Sequence, residues 1–205
     1  MLRYRLDGFE DLTLKQKLYI YYLAKATLCG RDIVTDQFGR HNLLIRKTLE
    51  AVYENFMGDR TSHDFQSMTV YLKRVWFSNG IHHHYGCEKF VPDFSEPFFI
   101  EAVRQVGADK LPLAEGQTVD SLLDELCPVI FNPSVQAKRV NQKDGDDLVK
   151  TSACNYYENL SQKLLPADGG CLLHRRAGCL RLQLFVYCFV QRCIRFCGGI
   201  RGSPR

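Results

Sequence analysis

The sequence predicts a mainly α-helical chain with one small β-hairpin, which is an α+β fold. Several segments carry apolar residues at helical spacing behind a capping residue, and most of them end at glycine or Asn-Gly. The spacing changes to a hairpin pattern only near residues 135–151. Apolar residues make up 45% of the chain and aromatic residues 12%. That composition indicates a globular protein, and 205 residues are enough for one ordinary domain with an appendage.

The first two helices follow from a capping signal and an apolar stripe. Thr13 and Gln16 have the spacing of a capping box, which predicts a helix from there to Gly30. Residues 30–42 are rich in glycine, aspartate and asparagine, and we expect them to interrupt the helical structure. Residues 43–57 then carry apolar side chains at 3.6-residue spacing, which predicts a second helix.

The third and fourth helices have clear ends. Ser62 is placed to cap the third helix, and Asn79-Gly80 tolerates the left-handed backbone that stops it. Its expected core stripe consists of Phe65, Met68, Tyr71, Leu72, Val75 and Trp76. The fourth helix is predicted to begin near Ser95, with Pro97 in its first turn, and to end at Gly107.

The last predicted elements are a short helix and a hairpin. The fifth helix runs from Asp120 to about Cys127, where Pro128 is expected to stop it. Residues 135–140 and 147–151 flank an Asp-Gly turn, which is a strong short-range hairpin signal.

The most polar loop lies between the third and fourth helices, in residues 77–90. Three imidazoles, a phenol, a lysine and a carboxylate fall within ten positions there. Loops held by rigid helices often carry binding groups, although an ordinary exposed polar loop explains the same composition. A metal site built from His82, His83 and His84 is not favoured, because adjacent side chains diverge.

Four segments, in order, resemble the dipeptidyl peptidase III family of zinc exopeptidases, and its bacterial members in particular. They are residues 12–37, 42–60, 70–95 and 151–162. The third, VYLKRVWFSNGIHHHYGCEKFVPDFS, is the most specific, because the family's eukaryotic branch has a related Val-Tyr, Ser-Asn, Gly and Lys-Phe-Val-Pro pattern. The resemblance covers about residues 2–162.

The resemblance implies one lobe of a two-lobed enzyme that releases dipeptides from the N-termini of short peptides. In the family, zinc is held in the later lobe by a His-Glu-x-x-Gly-His helix and a further glutamate. The loop that matches residues 81–86 lies on the opposite wall of the cleft. The resemblance therefore makes Asn79, Gly80, His84 and Tyr85 the candidate substrate-binding residues.

The chain lacks the zinc-binding motif of the family. No histidine is followed by glutamate, so we expect no catalytic residue, no bound zinc and no activity from this chain alone. We expect an N-terminal fragment that opens inside the family's sequence. Its partners would be the missing catalytic lobe and, weakly, short peptides. We expect no signal peptide, because the first residues contain no apolar h-region, and the thiols of residues 1–162 are scattered, which favours the cytoplasm.

Residues 163–205 differ in character from residues 1–162. They carry a net charge of +7 against −3, five of the nine cysteines, and seven arginines for one lysine. We expect a segment translated out of frame. The alternatives are a basic amphipathic segment on an anionic membrane surface and a zinc knuckle, which lacks paired Cys-x-x-Cys spacing.

The overall charge of +4 is too small to indicate a nucleic-acid partner, and a membrane partner is not expected either. The apolar run Leu180–Val190 is too short to span a bilayer. A non-catalytic module that binds peptides or a protein partner is the main alternative function.

Overall fold

The computed structural model describes residues 7–156 and 161–164. Contacts divide the chain into two compact units, whose described parts are residues 7–33 and residues 34–156 with 161–164. The α-helices are α1 (Leu14–Cys29), α2 (Ile33–Phe38), α3 (Asn42–Asn55), α4 (His63–Ser78), α5 (Glu96–Val106), α6 (Val119–Phe131) and α7 (Leu148–Thr151), and Gln162–Leu164 form a 3-10 helix. The prediction of a mainly helical chain is confirmed. None of the described helices has the length and apolar character needed to cross a membrane.

In the first unit, α1 forms as the capping signal predicted. The Thr13 hydroxyl accepts a hydrogen bond from the Gln16 amide, and the Gln16 side chain accepts one from the Thr13 amide, which completes the capping box. The helix ends at Gly30, whose amide donates to the Thr27 carbonyl. None of the residues in α1 is buried. Its local signals are therefore satisfied while its apolar side chains face outward.

The core of the second unit is built by four helices. Helix α3 packs against α4 and α5, and α5 packs against α6. Their fully buried side chains include Ile45, Leu49 and Val52 of α3, Met68, Leu72 and Val75 of α4, Phe99 and Val103 of α5, and Leu122, Leu126 and Ile130 of α6. Each helix contributes residues three or four positions apart, so one stripe of each faces the common core.

The expected stripe of α4 is correct except at its last member. Trp76 is 45% exposed, and its indole donates a hydrogen bond of 2.7 Å to Glu50 Oε1 of α3 at the edge of the core. The caps of α4 and α5 form as expected, since Ser62 accepts from the Phe65 amide and Ser95 from the Phe98 amide. The Ser95 cap fixes where the loop between the two helices ends, and Asn79, the C-cap of α4, fixes where it begins.

Two boundaries differ from the predictions. Helix α6 continues through Pro128 to Phe131, so the predicted stop was wrong. Val129 and Ile130 are buried beyond the proline, and their burial outweighs the hydrogen bond that proline cannot donate. Helix α2 forms inside the segment expected to interrupt helical structure, and Thr35 within it is fully buried.

The predicted hairpin does not form at residues 135–151. The turn is present, since the Asp146 amide donates to the Lys143 carbonyl and Gly145 has a φ of 87°. The expected second strand is instead helix α7, because the Asp147 carboxylate accepts from the amides of Val149 and Lys150 and caps it. The tail of residues 165–205 lies outside the described residues, and so do the predictions of its origin.

Candidate functional site

The candidate loop begins where α4 stops, and two residues set its direction. Asn79 adopts the left-handed conformation with a φ of 53°, and the Gly80 amide donates to the Val75 carbonyl. Gly80 has a φ of 152°, and a Cβ there would overlap the side-chain amide of Asn42. Only glycine fits this position without strain. Both predicted residues therefore shape the backbone, and Gly80 is buried.

The first arm of the loop is anchored inside the protein. Ile81 is fully buried, and its amide donates to Asn42 Oδ1 at 3.3 Å. His82 is also buried, and its Nε2 donates to the Gln136 carbonyl at 2.6 Å. Burial lowers the pKa of His82, the charges of Lys89 and Arg139 lower it further, and the bond to the Gln136 carbonyl opposes them. His82 is thus a neutral structural residue.

The second arm closes the loop against the first. The Phe90 amide donates to the Ile81 carbonyl at 2.8 Å, and the His83 amide donates to the Glu88 carbonyl at 2.7 Å. On its other side, the Lys89 amide donates to the Ala137 carbonyl. Residues 81–83 and 88–90 therefore form a narrow double-stranded stem with isolated bridges, and residues 84–87 form its tip.

Two cations join this loop to residues 132–139, one from the stem and one from that segment. The Lys89 ammonium donates to the carbonyls of Asn132 and Val135, at 2.6 and 2.9 Å, beyond the end of α6. Burial nevertheless lowers the pKa of Lys89 to about 8. Arg139 donates to the His84 carbonyl at 2.9 Å, and its guanidinium lies 4.4 Å from the centre of the Phe38 ring. The loop is tied to the second unit at several separate points.

The tip is organised by His83. Its Nδ1 accepts hydrogen bonds from the amides of Tyr85 and Gly86, at 3.3 and 3.1 Å. An acceptor role for Nδ1 places the proton on Nε2 in the neutral ring. A Cβ on residue 86 would meet the end of the exposed Glu88 side chain, which would have to turn away. The turn therefore fixes the directions in which the next two side chains point.

The two remaining predicted residues, His84 and Tyr85, lie exposed at this tip, and Tyr85 is 86% exposed. The His84 ring lies edge-on to Phe77 with centroids 4.9 Å apart, and edge-on to Tyr85 at 5.0 Å. The His83 ring is 4.6 Å from His84. We call the rings of Phe77, His83, His84 and Tyr85 the ring cluster. The ring cluster presents aromatic faces and imidazole nitrogens on one solvent-exposed surface.

A small cavity of about 220 Å³ lies beside the second arm. Its lining is mostly apolar and comprises Glu88, Lys89, Phe90, Val91, Pro92, Ile130, Phe131, Pro133 and Ala137. Such a cavity is large enough for one apolar side chain of a ligand.

The sequence did not identify the residues that support the loop. Asn42, Gln136 and Arg139 all act across long separations in the chain, and Gln136 has a left-handed φ of 52°. The packing around Asn42 leaves no room for a Cβ at Gly39 or Gly80. These glycines are far apart in the sequence, so their shared role is visible only in the folded chain.

No metal-binding cluster is found in residues 7–156 and 161–164, where no three histidine, cysteine or acidic side chains come together.

The chain matches no protein-family model, and no curated protein is similar to it. The resemblance to dipeptidyl peptidase III therefore stays a prediction from its sequence segments.

Proposed function

We propose that this chain is an N-terminal fragment of a cytoplasmic, dipeptidyl peptidase III-like zinc exopeptidase and supplies one wall of its peptide cleft. The observation that carries the proposal is the solvent-facing ring cluster on a loop whose stem is fixed to the helical unit. A cleft wall needs side chains that a ligand can reach. It also needs a backbone that keeps its conformation when the ligand is absent. The loop of residues 81–90 has both properties.

The chemistry of the ring cluster suits a peptide. Tyr85 and Phe77, which are 86% and 73% exposed, offer aromatic faces to apolar side chains. His84 can donate a hydrogen bond to a backbone carbonyl from its imidazole. The apolar cavity beside Phe90 can take one side chain of the same ligand. Asn79 and Gly80 contribute by setting the angle at which the loop leaves α4.

The chain is expected to bind peptides without cleaving them. In the proposed whole enzyme, a separate lobe supplies the zinc ligands and the base, and this chain orients the substrate. Without that lobe half of the contacts are lost, so peptide affinity is expected to be about millimolar or weaker.

The experiment restores the missing lobe. The zinc-bearing lobe of an intact family enzyme is expressed as a separate chain and mixed with this one, and release of dipeptides from a dipeptidyl-arylamide is measured. Tyr85→Ala is expected to lower kcat/KM by about tenfold, because a desolvated aromatic contact is removed. Met57→Ala is the control, since Met57 is 88% exposed and lies in the connection between α3 and α4, outside the loop of residues 81–90.

Two results contradict the proposal. If the mixture stays inactive while the two chains bind each other, this chain is not a wall of that cleft. If Tyr85→Ala lowers stability and leaves kcat/KM unchanged, Tyr85 is only a packing residue. Circular dichroism of both variants separates a lost contact from a lost fold.

A non-catalytic peptide-binding module is the second candidate, and the cavity beside the second arm favours it. In that case a tetrapeptide of alanine and phenylalanine should bind tightly without any added lobe. Nuclear magnetic resonance titration of the full chain measures this directly. Micromolar binding that moves the signals of residues 77–92 supports the module, and about millimolar binding supports the fragment.

A further inference from the structure

Lys89 is a partly buried cation whose hydrogen-bond partners are neutral. Its ammonium donates to the carbonyls of Asn132 and Val135, and in residues 7–156 and 161–164 no carboxylate lies within ion-pair distance of it. Burial lowers the pKa of Lys89 to about 8, because the charged form loses water that no carboxylate replaces. A negatively charged ligand would therefore find a cation whose charge is not yet compensated.

One donor of this ammonium is available to a ligand. An ammonium group has three N–H donors, and the two carbonyls use two of them. None of the described residues accepts a hydrogen bond from the third. The two carbonyls belong to residues on either side of Pro133, which lines the cavity beside the second arm together with Lys89 itself. The ammonium therefore lies at the edge of that cavity.

The cavity itself suits an apolar group. Its volume is about 220 Å³, and the side chains of Phe90, Ile130 and Phe131 contribute to its apolar lining. Val91 also lines it and is 67% exposed, so the cavity opens to solvent. An apolar side chain that enters from solvent removes water from these surfaces, which favours its binding.

Glu88 is the acidic residue in this lining, and it does not neutralise Lys89. Its Oε1 lies 3.9 Å from the Nζ of Lys138, and its side chain is 61% exposed. Glu88 and Lys138 thus form a surface pair of their own. Because the ammonium of Lys89 is partly shielded from water, its attraction for an anion is stronger than that of a fully exposed lysine.

We propose that this cavity binds the C-terminal residue of a peptide, with the apolar side chain in the cavity and the carboxylate on the Lys89 ammonium. The last residue of a peptide is the one that carries a carboxylate next to its side chain, and a hydrogen bond between two charged groups is stronger than one between neutral groups. The inference rests on the proposed peptide-binding function and adds which end of the peptide the second arm receives.

The experiment is a nuclear magnetic resonance titration of the full chain with the tetrapeptide Ala-Ala-Ala-Phe and with the same peptide amidated at its C-terminus. The free acid should bind about tenfold more tightly, because the amide has no charge to place on the ammonium. Lys89→Gln should remove this difference. Lys138→Gln is the matched control and should keep it, because this neighbouring cation is paired with Glu88 and does not line the cavity.

A second variant tests the apolar half of the site and leaves every charge in place. Ala137 lines the cavity, so Ala137→Leu should fill it and weaken the binding of both peptides by about fivefold. Thermal unfolding shows whether each variant is folded. The comparison of acid and amide on the unaltered chain needs no variant, so it decides the question even if Lys89→Gln does not fold.

The possible results separate this inference from the proposed function. Equal affinities for acid and amide, with shifts in residues 77–92, overturn the inference and leave peptide binding intact. An acid preference that both lysine variants reduce equally also overturns it, because the net charge of the surface is then sufficient. Tighter binding of 3-phenylpropionate than of the tetrapeptide overturns the peptide as the ligand and indicates a small free acid.

Two further results concern the proposed function. An acid preference confined to residues 88–92 and 130–137, with no shift in the ring cluster, supports the inference and contradicts the role of the ring cluster in peptide binding. If neither peptide shifts any signal at about 20 mM, both the inference and the proposed function are overturned.

Discussion

Helices α1 and α4 are both 16 residues long and both begin at a hydroxyl cap, yet they have opposite surroundings. Six residues of α4 are buried in the core, and none of α1 is. The difference lies in how the apolar residues are distributed. In α4 most of them form one buried stripe, from Phe65 to Val75, whereas in α1 they occupy every side. Local signals make a helix, and the distribution of its apolar residues decides whether one fold can bury it.

The largest difference between the two helices is expected from removing a leucine. Leu72→Ala in α4 should lower the free energy of unfolding by about 2–5 kcal/mol, because Leu72 is fully buried and a cavity is left. Leu18→Ala in α1 should change it by about 0.5 kcal/mol or less, because no residue of α1 is buried. Urea unfolding at low protein concentration measures both. Equal losses would show that Leu18 is packed as tightly as Leu72.

The second difference concerns the glycine that follows α4. Gly80→Ala should cost about 2–3 kcal/mol, because the new methyl group is strained and overlaps Asn42. Gly116→Ala is the control, since it also has a positive φ, of 77°, but open space around it. At Gly116 only the backbone strain of a positive φ remains, and the expected cost is about 1 kcal/mol. Thermal unfolding of the two variants compares them, and equal costs would mean that Asn42 does not hold the loop.

The caps should differ in what they stabilise. Ser62→Ala should lower the free energy of unfolding by about 1 kcal/mol, because α4 is part of the cooperative core. Thr13→Ala should reduce the helical content and leave the main unfolding midpoint in place. Far-ultraviolet circular dichroism measures the helical content, and urea unfolding measures the free energy of unfolding and the midpoint. A shifted midpoint in the Thr13 variant would show that α1 unfolds together with the core.

The smallest effect is the loss of stability expected at acidic pH. It is tested by comparing variants of the buried His82 and the exposed His84. The pKa of His82 is lowered in the folded protein, so below an unfolded value of about 6.5 the unfolded chain takes up a proton that the folded chain does not. Stability should therefore fall as the pH decreases from that value toward the lower folded pKa. His82→Gln should reduce this dependence, and His84→Gln should keep it. Unfolding midpoints at about pH 7.5 and about pH 5 test this. An unchanged slope in the His82 variant would contradict the assignment.

The sequence predicted the helices well and the loop's supports poorly. The caps at Thr13, Ser62 and Ser95 and the stop at Asn79 depend on neighbouring residues, which a single sequence shows. The continuation of α6 beyond Pro128 depends on burial by other helices, which it does not show.

The candidate site divides in the same way. His84 and Tyr85 were placed correctly in an exposed loop, and their role in binding stays a prediction. The burial of His82 was missed, because three adjacent histidines look equivalent until Gln136 is brought beside one of them. Asn42 accepts a hydrogen bond from Ile81, which is 39 residues away in the sequence, and no local pattern predicts such a pair.

The hydrogen bond between Trp76 and Glu50 gives this protein a built-in optical reporter. Trp76 is the chain's one tryptophan, and it joins α4 to α3 one residue before the ring cluster begins. Its emission should respond to ligands at the tip and to separation of the two helices, while the tyrosines of α1 stay silent under excitation selective for indole. Ligand binding at the tip and unfolding of the second unit can therefore be followed without any label, in separate titrations.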